Sequence, residues 1–128
     1  MRLFLLMMLY LSSQATMAVD CGKAITTPDI NECASVEQEK VEVQLNAAYK
    51  KIIQKLDHPE PDFAEHYAVI KKDLVDAQRA WVKFREADCT AVYTLYRDGT
   101  IRNVMYIGCM QSRAEQRMKE LKGFDLSD

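Results

Sequence analysis

The stretch "AQRAWVKFREADC", Ala77 to Cys89, carries a tryptophan, two arginines, a glutamine, an aspartate and a cysteine. All fall within about four helical turns. Taking Trp81 as zero and about 100° per residue, the apolar side chains Phe63, Tyr67, Ile70, Leu74, Ala77, Phe84, Val92 and Leu95 lie within about 60° of it. One apolar stripe therefore predicts a long helix over 63–96. Asp88 falls inside the stripe, and Gln78, Arg85 and Cys89 cluster on one flank. A carboxylate on a buried face needs a partner. Arg85, three residues away, is one such partner; Asn46, Tyr49 and Arg117 are others. A satisfied polar network that fixes helix packing accounts for these side chains better than a catalytic set does.

Outward from this helix the pattern stays helical. Val41, Leu45, Tyr49, Ile52 and Leu56 recur at three or four residues, with Thr27 as cap and Pro28 in the first turn. Ser35 and Gln38 offer a second start, so a break is expected near Ser35. "DHPEPD" separates the two long helices, and Asp62 is a candidate cap. Gly99 in "RDGT" can adopt the left-handed conformation of a helix stop. A third helix over 104–122 follows, with Ile107, Met110, Ala114, Met118 and Leu121 on its apolar face. The fold class is all-α: a small disulfide-linked bundle, a long antiparallel helix hairpin plus a shorter third helix.

The N-terminus sets the compartment. Arg2 precedes the apolar run "LFLLMMLYL" and then "SSQATMA", the order of a secretory signal peptide, and the run is too short to span a bilayer. Cleavage is expected after Ala18, with Ala15 nearly equivalent. This leaves one domain, 19–128. The chain's net charge is −2, and loss of Arg2 makes the mature protein slightly more acidic. That balance argues against nucleic-acid binding and suits a basic partner. No membrane association is expected after cleavage, and the oligomeric state is not legible.

All four cysteines, Cys21, Cys33, Cys89 and Cys109, follow the signal. An even count in an exported domain reads as two disulfides. About the "HPEP" turn, Cys33 and Cys89 stand at nearly equal height, which favours Cys33–Cys89 with Cys21–Cys109. The alternative is Cys21–Cys33 with Cys89–Cys109. In an unbroken first helix Cys33 points about 120° away from Leu45, which counts against the first pairing.

No catalytic motif, phosphate loop or dinucleotide fingerprint is present, and no enzyme activity or cofactor is expected. His58, Glu60, Asp62 and His66 match no defined metal spacing, so no metal site is assigned. Exposed function belongs on loops. The segment "YRDGTIRN" supplies Arg97, Asp98, Gly99, Thr100 and Arg102 as candidate partner-binding residues, with Asn103 beside them.

In order and spacing these motifs resemble the LprI-like lysozyme inhibitor family. The resemblance rests on Cys21 and Cys33 flanking "GKAITTPDINE", on "LNAAY" (Leu45 to Tyr49), on "AQRAWVKFREADC", on "DGT", and on Cys109 followed by Arg117 and Leu121. Ala114 departs from the pattern, where threonine is common. The resemblance implies a periplasmic or secreted helical domain whose matched positions are scaffold: Leu45, Asn46, Tyr49, Gln78, Trp81, Arg85, Asp88, Arg117 and the cysteines. It also implies a lysozyme-type hydrolase as partner, its active-site cleft occluded. The other function in view is a non-inhibitory interaction or immunity module for another envelope protein.

Overall fold

The computed structural model describes residues 18–124 and 126. The expected signal segment lies outside these residues except for Ala18. Three helices make the fold: α1 (Thr27–Leu56), α2 (Ala64–Leu95) and α3 (Arg102–Lys122). Short 3-10 turns, Cys21–Lys23 and Pro61–Phe63, precede α1 and α2. Among the described residues no helix is long and apolar enough to cross a membrane.

Local chemistry explains the boundaries. Thr26, one residue before the expected cap, accepts from the Asp29 amide at 3.3 Å, and its hydroxyl donates to Asp29 Oδ2 at 2.6 Å. This reciprocal cap leaves Pro28 in the first turn, where a missing N–H costs nothing. The expected break at Ser35 does not occur; α1 runs unbroken through it. Asp62 is inside the 3-10 turn and does not cap α2, which starts after Phe63 with no side-chain cap. Gly123 stops α3, its amide donating to the Lys119 carbonyl at 3.0 Å.

Helices α1 and α2 run antiparallel. Asp57 pairs with Lys71 beside their turn, and Glu42 with Arg85 farther from it. Their direct contact is slight. Instead α3 lies against both, most extensively against α1, and holds the hairpin together. The core is Leu45 and Leu56 from α1, Tyr67 and Leu74 from α2, and Ala114 and Leu121 from α3, with Tyr49, Ile70, Trp81 and Met118 packed around it. Ala114 is fully buried, and its small side chain lets α3 approach closely. Lys55 Nζ and the Tyr67 hydroxyl both donate to the Leu126 carbonyl, at 3.0 and 3.4 Å, which ties the tail over this end of the bundle.

Two expectations about α2 change. The buried face is not centred on Trp81. It is rotated by about 40° toward the flank of Gln78, Arg85 and Cys89, so Arg85 and Cys89 are buried while Phe84 is 56% and Leu95 77% exposed. The cause is α3, which packs on that flank. Gly99 is not left-handed: no described residue has a positive φ. The turn closes instead by successive backbone bonds, including Gly99 N to the Tyr96 carbonyl at 2.9 Å.

The favoured disulfide pairing is also replaced. Cys21 joins Cys33, and Cys89 joins Cys109, each with Cα atoms 5.6 Å apart. Because α1 is unbroken, Cys33 faces away from α2 and cannot meet Cys89. The 3-10 turn at Cys21 folds back onto it instead. Cys89 and Cys109 stand ten residues on either side of Gly99 in two antiparallel helices, and so come level.

Candidate functional site

The "AQRAWVKFREADC" stretch is the hub of the bundle. Three of its polar side chains, Arg85, Asp88 and Gln78, each reach a residue on another helix. Arg85 Nη1 donates to Glu42 Oε1 on α1 at 2.5 Å, with the guanidinium 4.6 Å from the centre of the Trp81 ring. Asp88 Oδ2 accepts from Arg113 Nε on α3 at 2.8 Å. Gln78 Oε1 accepts from Arg117 Nε at 3.0 Å. Arg85 and Asp88 therefore pair outward, not with each other. Arg117 is a partner as expected, though for Gln78; Asn46 is exposed and Tyr49 joins the core. Glu42 and Arg113 were missed. Their signal was position: Glu42 lies three residues before Leu45, and Arg113 four before Arg117, each beside an apolar face.

Cys89 is wholly buried in its disulfide, so the hub holds no free thiol. Among the described residues metal-type donor atoms converge at Asp88, Cys89 and Cys109. Both sulfurs there are oxidised and cannot act as thiolate ligands. His58 is engaged with the Gln54 carbonyl, 2.9 Å from its Nδ1, and is not brought together with Glu60, Asp62 and His66 in such a group. The hub thus ties α2 to both neighbouring helices through three polar side chains.

The exposed candidate residues lie at the end of the bundle where α2 turns into α3. The connection is shorter than expected, because α3 begins at Arg102 and not at Val104. Arg97, Asp98 and Thr100 are exposed, with Arg97 Nε 3.7 Å from Asp98. Gly99 and Arg102 are half-buried. Arg102 Nη1 donates back to the Arg97 carbonyl at 3.1 Å, and its guanidinium sits 6.0 Å from the Tyr93 ring. Tyr93 and Tyr106 meet edge to face at 6.3 Å. A groove of about 440 Å³ opens beside them, lined by Thr90, Tyr93, Asn103, Tyr106 and Ile107. The Cys89–Cys109 bond lies one helical turn below and fixes the two walls relative to each other. Tyr93 and Tyr106 were not predicted for this site; tyrosines near a turn look like core in sequence.

The family described as lysozyme inhibitor LprI matches residues 20–121, from the first cysteine's neighbour to the last core leucine of α3. The chain belongs to the LprI lysozyme inhibitor family. An uncharacterised protein of Rhizobium meliloti (strain 1021) is 30% identical over 106 residues, covering 80% of this chain and 76% of that protein. No solved structure matches. The LprI match spans all three helices, both disulfides and the α2–α3 turn, so the hub and the exposed end belong to one family unit.

Proposed function

We propose that this chain is an exported, non-catalytic binding protein that occludes the active-site cleft of a lysozyme-type peptidoglycan hydrolase. The observation that carries this reading is the LprI match over residues 20–121. Two disulfides suit an oxidising compartment, periplasmic or extracellular. Residues 1–18 serve as the export signal and are removed.

Glycosidases of this class work with two carboxyl groups in a cleft. Blocking them requires a rigid projection carrying positive charge and no chemistry of its own. The α2–α3 end, where Arg102 is held beside an open groove, supplies it. A wall fixed by a disulfide loses little conformational freedom on docking. The negative net charge, −2 over the whole chain, assists encounter with a basic hydrolase.

The test is a titration of the oxidised mature protein against a purified lysozyme acting on cell-wall suspension. Stoichiometric loss of lysis is the expected outcome, weakened by added salt. Unchanged lysis at micromolar excess removes the reading for that enzyme. A different envelope protein recovered on immobilised domain would then favour the non-inhibitory module.

A further inference from the structure

Six of the seven arginines lie among the described residues. Five of them face a carboxylate: Arg79 Asp76, Arg85 Glu42, Arg97 Asp98, Arg113 Asp88 and Arg117 Glu120. Arg102 alone among them has no acidic partner, yet it is held in place. The Arg97 carbonyl anchors one nitrogen and the Tyr93 ring lies beside the guanidinium. A guanidinium presents five donors, and one is used here. An ordered arginine with donors to spare beside an open groove is suited to an anionic group from outside.

We infer that the groove walled by Tyr93 and Tyr106, with Arg102 beside it, and not the glycine turn, meets the hydrolase, Arg102 being presented to a carboxylate of the glycosidase cleft. This rests on the inhibitory reading above. Order and chemistry favour the groove over the turn. Arg97 is 71% exposed at its side chain and already near Asp98, so docking must order it and compete with an internal charge. Arg102 is ordered beforehand, and its planar fork matches a carboxylate. Tyrosine and arginine are enriched among the residues that carry most binding energy at protein interfaces, tyrosine because it buries a large rigid ring with few rotors and arginine because its planar fork makes several directed bonds. Leu95, 77% exposed, and Ile101, 48% exposed, extend apolar surface beside the same end. Asn103 and the two phenols supply polar groups at its rim.

The partner is therefore an acidic glycosidase cleft, complementary in charge to the arginine that lacks an internal carboxylate. Arg102→Glu should weaken inhibition of the purified lysozyme roughly tenfold to a hundredfold, as loss of a central arginine contact does. Tyr93→Ala should do likewise. Arg97→Gln should stay within about threefold, as expected for a rim charge. The double variant Lys51→Glu, Lys122→Glu, at the opposite end of the bundle, serves as the charge control.

Far-ultraviolet circular dichroism and melting temperature establish folding of each variant. If Tyr93→Ala fails to fold, Asn103→Arg at the exposed rim obstructs the groove without touching the rings. Folded Arg102→Glu that inhibits like wild type overturns the groove while leaving the inhibitory reading intact. Wild-type protein that does not inhibit removes both. Shifted Tyr93 and Tyr106 resonances with a soluble chito-oligosaccharide alone would reassign the groove to glycan and overturn the proposal.

Discussion

Arg85 of α2 and Glu42 of α1 form the most buried ion pair of the hub, 2.5 Å apart with side chains 10% and 23% exposed. The pair bridges the two helices that otherwise touch least, and it lies under the Trp81 ring. Removing one member leaves the other half-buried and uncompensated. Glu42→Gln should cost about 2 kcal/mol, and Arg85→Ala about 3 kcal/mol because the stacked alkyl chain goes with the charge. Urea denaturation with an unchanged m-value measures both. A loss below about 0.5 kcal/mol for each would place the pair with ordinary surface bridges.

The Asp88–Arg113 bridge is more exposed, at 31% and 39%. Solvent screening reduces its worth, so Asp88→Asn should cost no more than about 1 kcal/mol. Half a molar salt should abolish most of that difference while leaving the Glu42→Gln penalty largely in place. Equal salt sensitivity of the two variants would contradict the burial ranking.

The two disulfides should reduce in order. Cys21 is exposed, whereas Cys89 has no accessible surface. Dithiothreitol should open Cys21–Cys33 in the native protein, while Cys89–Cys109 yields only after unfolding. Alkylation and mass spectrometry over time check this. Each crosslink closes a loop of modest length and should contribute about 3 kcal/mol in the chain-entropy model. Simultaneous labelling of all four cysteines would refute the order.

Ala114 of α3 is fully buried within the core. Ala114→Leu should destabilise by about 2 kcal/mol through overpacking. Ala114→Gly should cost about 1 kcal/mol through helix propensity. Thermal melts of both distinguish a tight site from a roomy one, in which leucine would be the better tolerated.

Gly99 has an ordinary backbone conformation, and a Cβ there would stand 3.5 Å from the Tyr96 carbonyl, a normal contact. Gly99→Ala should therefore be neutral or stabilising by up to about 0.5 kcal/mol, by restricting the unfolded chain. A loss above about 1 kcal/mol would restore the left-handed turn expected from sequence.

Much of the fold was legible because helical signals are local. Pro28 and the "HPEP" junction marked helix ends to within a few residues, and the apolar periodicity placed Leu45, Leu56, Tyr67, Leu74, Ala114 and Leu121 in the core. Phe84 and Leu95 were placed there too and are exposed. The periodicity spans a sector wider than one contact, and only the seat of α3 decides which part is covered. The candidate site was half legible. Its turn was found from charge and glycine; Tyr93 and Tyr106 were not, since ring pairing across two helices leaves no trace within either.

What the sequence determined by itself is the all-α class, three amphipathic helices, an even set of cysteines and the polar hub around Trp81. Each depends on neighbours within a turn or two, where bond geometry alone sets position. Only the tertiary structure decided which cysteines pair, which helix answers Arg85, Asp88 and Gln78, and that Arg102 has no carboxylate partner among the described residues. Those outcomes depend on how three rods close on one another. Cys33 and Cys89 are level about the "HPEP" turn, but Cys89 and Cys109 are level about Gly99 and also face each other, and a disulfide needs facing as well as level. Facing is a property of the packed bundle and of no single helix.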